Sequence, residues 1–259
     1  MRSYPALRGL RIGCVQYLNS KPLIHGYDGP VIFDHPSGLA RDLAAGRLDV
    51  ALVPTFEALR SPHYLLAEGV GIACDGPVYS VFLAHRRPLA EVRSVALDPA
   101  SLTSVHLLQV LLGEYHGLRP EWRTLSTFPQ DADAALIIGN QAIDFRQHDK
   151  EGYEILDLGE EWKRCTGLPF VFAPWLMRPG LPHAAEVADD LRALKAHGVA
   201  HLEEIIRAEP RDPSFTRRYL TQHIRFELGE PEKAGIETFR ELLAKHGFIA
   251  DVPTPLRYV

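Results

Sequence analysis

The chain has few cysteines, no basic excess, no long apolar run and no glycine-rich phosphate loop. Cys14, Cys74 and Cys165 are three in number, lie far apart and form no Cys-x-x-Cys pair. That pattern excludes a disulfide framework and a structural zinc site, fits a reducing compartment, and leaves three thiols expected to pack in the interior. Lys and Arg total 28 against 33 Asp and Glu, a net charge of −5, so nucleic acid is not expected as a partner. The longest apolar stretch, Leu168 to Met177, is about half of the roughly 20 residues a membrane span requires and holds two prolines, so no membrane crossing is expected. The opening residues, with Arg2, Arg8 and Arg11 among apolar neighbours, never build the uninterrupted core of a secretory leader, and a cytoplasmic location is expected. Gly-x-x-x-x-Gly-Lys-Ser/Thr, Gly-x-Gly-x-x-Gly after a strand, Gly-x-Ser-x-Gly and His-Glu-x-x-His are all missing. Nucleotide cofactors and serine-hydrolase chemistry therefore fit poorly, and neither a cofactor nor a metal is expected.

What is there is a globular composition, 46% hydrophobic and 24% charged, in a chain of 259 residues. The first half alternates strands and helices. Leu10 to Val15, Val31 to Asp34 and Asp49 to Pro54 read as short strands, with a helix over Leu39 to Gly46 between the last two. Val78 to Ala84, Ser94 to Leu97, Ala134 to Ile138 and Glu154 to Leu158 are further strands, and a helix starts near Ser101. Its apolar positions Leu102, Val105, Leu108, Leu111 and Leu112 follow the 3.6-residue period. From Pro182 onward the pattern is helical, over His183 to Arg207 with Gly198 as a break, from the cap Asp212-Pro213 through Leu228, and from Pro231 to Gly247.

Two groups of strands with a helical C-terminal third predict two α/β lobes. Lobe 1 is expected over 1–85 plus 175–259 and lobe 2 over 86–174, with a double crossing as hinge and a ligand cleft between the lobes.

Polar groups cluster where apolar strands end, the usual ligand position in an open α/β sheet. Tyr17, Asn19, Ser20 and Lys21 follow the first strand, and Thr55 follows Val53-Pro54. Ser80 interrupts an apolar strand, and Gly139-Asn140 ends another. Ser101, Thr103 and Ser104 offer three hydroxyls at a helix start, a ready receptor for a carboxylate or phosphate, although a single N-cap would need only one of them. Together these small neutral groups suit an organic anion. His197 and His201 stand four apart as a helical metal pair would, but Gly198 lies between them and no third ligand is evident nearby, so solvated or capping roles are expected. Glu160-Glu161 and Glu203-Glu204 read as solvated charges.

With these residues in hand, the chain resembles the chorismate dehydratase family of the futalosine route to menaquinone. The carriers are Gly13-Cys-Val-Gln-Tyr-Leu-Asn-Ser-Lys-Pro-Leu23, Gly46-Arg-Leu-Asp-Val-Ala-Leu-Val-Pro54 and Gly76-Pro-Val-Tyr-Ser-Val-Phe-Leu83. Further carriers are Leu97-Asp-Pro-Ala-Ser-Leu-Thr-Ser104, Leu136-Ile-Ile-Gly-Asn140, Asp157-Leu-Gly-Glu-Glu-Trp162 and Thr166-Gly-Leu-Pro-Phe-Val-Phe-Ala-Pro-Trp175. The resemblance implies a periplasmic-binding-protein-like fold of type II used as a lyase that turns chorismate into 3-[(1-carboxyvinyl)oxy]benzoate and water. It also implies catalytic positions at Asn19 and Ser80, and a substrate carboxylate at the Ser101 to Ser104 helix start. Tyr17, Ser20, Thr55, Gly139 and Asn140 are expected to complete the binding of a dicarboxylate. Asn140 departs from the acidic residue expected after that glycine. The alternatives are an enzyme like 1,4-dihydroxy-6-naphthoate synthase and a non-catalytic small-anion-binding module of the same fold. A homodimer is compatible with the sequence. Trp162, Phe170 and Trp175 fit either cleft or core.

Overall fold

Two mixed sheets organise the chain, and the computed structural model describes residues 3–124, 132–250 and 254–259. The first sheet has β1 (Ile12–Cys14), β2 (Val31–Phe33), β3 (Val50–Leu52), β4 (Leu65–Cys74), β10 (Phe170–Met177) and β11 (Arg257–Tyr258) in the order β11-β4-β10-β3-β1-β2. Strand β1 runs parallel to β2 and β3, while β10 runs antiparallel to β3 and β4. The second sheet joins β5 (Val81–His85), β6 (Ser94–Leu97), β7 (Glu121–Thr124), β8 (Ala134–Ile138) and β9 (Glu154–Asp157) in the order β7-β6-β8-β5-β9. Each sheet contains parallel pairs built by strand–helix–strand crossovers, the arrangement that places loop tips and helix starts at the carboxyl ends of strands.

The helices of the α/β part are α1 (Pro36–Ala44), α2 (Thr55–Arg60), α3 (Thr103–Val110), α4 (Gly139–His148) and α5 (Leu158–Thr166). The C-terminal third adds α6 (Ala184–Ala200), α7 (Leu202–Ala208), α8 (Pro213–Arg218) and α9 (Glu230–Lys245). Helix α6 packs on the tight turn Leu18–Leu23 and on β4, and α9 packs on β10, so most of this third covers the first sheet.

Several expectations are corrected by tertiary pairing. Val81–His85, assigned to lobe 1 from the sequence, hydrogen-bonds to β8 and β9 in the second sheet. Phe170 to Ala173, assigned to lobe 2, pairs with β4 in the first sheet. The ten-residue strand β4 has no clear sequence pattern, since its glycines at 69 and 71 hide any alternation. Pro174 sits inside β10 where the β4 register shifts, the irregularity that lets a strand accept proline. Gly198 does not break α6, which continues to Ala200. A Cβ at Gly198 would lie 1.8 Å from the Pro22 carbonyl oxygen, so this glycine serves close helix-to-turn approach.

Burial resolves the aromatic question. Trp162, Phe170 and Trp175 are all buried in the main core, where Trp162 and Phe170 meet Phe239 edge to face and Trp162 Nε1 donates to Pro169 O. Cys14 and Cys74 are buried, and burial pushes the Cys14 thiol up to about 12. Glu161, read as solvated, is buried and paired with His116 at 2.7 Å and with Arg164, whereas Glu203 is exposed and pairs with Arg217. His197 and His201 lie with His25 in a ring cluster with centroids 4.0 to 6.0 Å apart, His25 being the neighbour that sequence spacing could not supply. Among the described residues no helix is long and apolar enough to cross a membrane.

Candidate active site

The carboxyl ends of β1 and β3 and the start of β5 converge on a cleft with about 570 Å³ of free space including its open mouth. The antiparallel register of β5 with β8 sets Val81 opposite Ile138, which brings Ser80 beside Gly139, and the Gly139 N–H donates to Ser80 O at 2.8 Å. Tyr17, Asn19 and Ser80 line the cleft together with Ser101, Thr103 and Ser104. Residues far apart in sequence thus face one space, because the turn after β1, the start of β5 and the start of α3 meet there.

Two helix starts point at this space. Neither α3 nor α4 has a side-chain cap on its first turn, and Thr103, Ser104 and Gly139 in those turns line the cleft. The first turn of a helix carries the positive end of its dipole and N–H groups without helical partners, which favours an anion there, although in α4 the Gly139 N–H is already given to Ser80 O. The Thr103 hydroxyl also accepts the Phe56 N–H at 3.1 Å, tying the start of α2 to that of α3. Among the described lining residues Tyr17 alone has an ionisable side chain. Burial, with Asp98 adding to it, pushes the Tyr17 phenol up to about 12, so the cleft carries no side-chain charge near neutrality.

Gly139 has φ +65, and a Cβ there would meet the Tyr17 ring at 2.7 Å. Both the left-handed backbone and the ring seated on it require glycine.

Three expected site residues lie elsewhere. Ser20 Oγ lies 2.6 Å from Val15 O and 2.8 Å from Tyr17 O, so its hydroxyl closes the turn after β1. Thr55 Oγ1 donates to Val171 O at 2.6 Å within the core. Asn140 lines a neighbouring cavity with Asp34, His35 and Asp98, which shares Tyr17 and Ile138 with the cleft. It accepts the Leu18 N–H at 3.0 Å and donates to Gln16 O at 3.3 Å, joining the second sheet's α4 to the segment that carries Asn19. An aspartate could make only the first of these bonds.

Three residues that the sequence left unassigned hold the site. Asp157, buried at the end of β9, accepts the N–H groups of Val78 and Tyr79 at 2.9 and 2.8 Å and those of Gly159 and Glu160 at the start of α5. Arg146 donates to Asp157 at 3.0 Å and to Tyr79 O at 3.2 Å while its guanidinium lies 4.4 Å over the Tyr79 ring. Tyr79 adopts φ +67, an uncommon conformation for a non-glycine residue, and Asp157 with Arg146 fixes that turn immediately before Ser80. The third is Tyr219, whose hydroxyl lies 2.7 Å from Ser80 Oγ. The signal for Asp157 was present as a helix N-cap ahead of Leu158-Gly159, but nothing in the sequence links Tyr219 to Ser80.

Two sheets, a cleft between them and a chain that passes back and forth define an α/β protein of the periplasmic-binding-protein-like class. A Candida albicans protein described as having the generic periplasmic binding protein fold superposes with a TM-score of 0.65 at 13% identity, over 94% of this chain and 91% of that one. A protein of Archaeoglobus fulgidus superposes with a TM-score of 0.75 at 16% identity, over 93% of this chain and 98% of that one. The particular family follows from sequence. The family model described as menaquinone biosynthesis matches residues 10–245, and the chain belongs to that family. It is 32% identical to the chorismate dehydratase of Thermus thermophilus over 92% of this chain and 96% of that one.

Proposed function

We propose that this protein is a cytoplasmic lyase that dehydrates chorismate to 3-[(1-carboxyvinyl)oxy]benzoate, with Asn19 and Ser80 as its catalytic residues. The observation that carries the reading is an uncharged, mostly apolar cleft in which Asn19, Ser80, Ser101, Thr103 and Ser104 supply the polar side chains beside two helix starts, which suits a dicarboxylate whose own groups do much of the chemistry. Likeness to a curated chorismate dehydratase over nearly the whole chain supports it.

The chemistry follows from the substrate. The ring proton beside the enolpyruvyl ether is vinylogous to the ring carboxylate, so its removal spreads charge onto that carboxylate. A helix start holding the carboxylate stabilises the developing dienolate through prearranged N–H dipoles. Hydroxide leaves from the adjacent carbon and the ring becomes aromatic. No lining side chain is a strong base at neutral pH among the described residues, and the enolpyruvyl carboxylate of the substrate, held close, takes the ring proton. Asn19 and Ser80 orient the departing hydroxyl and that carboxylate. Closure over the ligand excludes water.

Incubation of the purified protein with chorismate, followed by mass spectrometry, tests this. A product lighter by one water is expected. Chorismate recovered unchanged from a protein that binds it would favour an anion-binding module instead.

A further inference from the structure

Tyr219 stands behind the cleft wall, fully buried, on the wide turn 219–223 that continues α8. It is 139 residues from Ser80 in sequence, yet its hydroxyl is 2.7 Å from Ser80 Oγ. Asn19, more than nine-tenths buried, also lines the cleft, and its Oδ1 is buried with no partner in the protein. The bond the Tyr219 phenol makes is to Ser80 Oγ, and a phenol has one proton to give while a serine oxygen can accept it and still donate its own. Burial pushes the Tyr219 phenol above its ordinary range, so it stays protonated and keeps donating.

The consequence appears at the cleft wall. With Ser80 Oγ accepting from Tyr219, the Ser80 O–H is free to donate to a ligand in the cleft that Ser80 lines. We infer that Tyr219 is a positioning residue: its hydroxyl donates to Ser80 Oγ and so aims the Ser80 O–H at the hydroxyl that departs from the substrate. The inference rests on the dehydratase reading and deepens it. In the step itself the ring C–H bond breaks as the enolpyruvyl carboxylate takes the proton, and the C–H electron pair enters the ring. The C–O bond breaks with its electrons on oxygen, and the departing hydroxide takes up the abstracted proton to leave as water. Ser80 donates to that oxygen while charge builds on it, and Tyr219 is not consumed.

The test is steady-state turnover of chorismate by Tyr219→Phe, alone and combined with Ser80→Ala. Phe keeps the buried ring and removes only the bond. A fall in kcat of roughly ten- to a hundredfold with KM within about twofold is expected, because the lost interaction acts on the leaving group. In the Ser80→Ala background the same change is expected to alter kcat by less than about twofold, which a merely structural role for Tyr219 would not produce. Site-specific 3-fluorotyrosine at 219, which retains the donor, is expected to keep turnover and serves where Tyr219→Phe does not fold. Wild-type kcat in Tyr219→Phe, an equal fold-loss in both backgrounds, or an inactive but folded fluorotyrosine protein would overturn the inference while leaving the dehydratase reading intact. A wild-type protein with no chorismate turnover would overturn both.

Discussion

Asp157 accepts the Tyr79 backbone N–H at 2.8 Å, and through that bond a buried carboxylate on β9 sets the left-handed turn that presents Ser80 to the cleft. Four N–H donors and the Arg146 guanidinium converge on this carboxylate. In Asp157→Asn an amide NH₂ replaces one acceptor and faces at least two donors, the Tyr79 N–H and Arg146 at Oδ2 or the Val78, Gly159 and Glu160 N–H groups at Oδ1. A loss of about 2–3 kcal/mol in unfolding free energy is expected, with a roughly tenfold or greater fall in kcat as Ser80 drifts. Urea denaturation and chorismate turnover measured on the same preparation check both halves.

Gly139→Ala places a methyl against the Tyr17 ring at a left-handed residue. A stability cost of about 1–2 kcal/mol is expected together with a several-fold rise in KM, because the ring must move into the cleft. Thermal unfolding and steady-state kinetics read the two effects separately.

Asn140 bonds to both Leu18 and Gln16, tying α4 to the segment that carries Asn19. Asn140→Asp keeps the acceptor for Leu18, loses the donor to Gln16 O, and adds a negative charge to a cavity already lined by Asp34 and Asp98 and adjoining the cleft through Tyr17 and Ile138. KM for chorismate is expected to rise more in Asn140→Asp than in Asn140→Ala, and the gap is expected to narrow as salt screens the charge. Equal KM values for the two variants at low salt would remove charge from the explanation.

Asp49 ties the first sheet together by receiving the Arg11 side chain at 2.8 and 2.9 Å, the Arg11 N–H at 2.9 Å and Arg178 at 2.7 Å. Hydrogen bonds from Arg11, with those from Arg178 adding, hold its carboxyl well below the usual carboxylate range. A carboxyl depressed in the folded state contributes its stability above the unfolded value of about 3.9 and loses it as pH falls toward the folded value. Wild-type protein is therefore expected to lose stability steadily below about pH 4, and Asp49→Asn to start less stable at neutral pH but to lose less over that same acid interval. Denaturant midpoints across that range give the comparison.

The strands flanking the cleft were legible because β1, β3 and β8 are short apolar runs that end in polar tips. Ser101, Thr103 and Ser104 were legible because hydroxyls clustered where a helix began. What was not legible depended on long-range pairing. The partner strands of Val81–His85 lie some fifty and more residues downstream, and no local pattern says which sheet will receive them. Ser20 and Thr55 carried the right side chains at the right places, yet each hydroxyl was taken by a nearby or packed carbonyl, a competition that composition does not reveal. Tyr219 reads as one more buried aromatic on a helix face until the fold sets it against Ser80.

The central claim, dehydration of chorismate in a neutral cleft through Asn19 and Ser80, is tested most directly by kcat with chorismate for the wild-type protein and for Asn19→Ala and Ser80→Ala. Wild-type turnover to 3-[(1-carboxyvinyl)oxy]benzoate, with kcat reduced roughly a hundredfold or more in each variant while both remain folded and still bind chorismate, is the expected result. Variants that keep the wild-type kcat would contradict it.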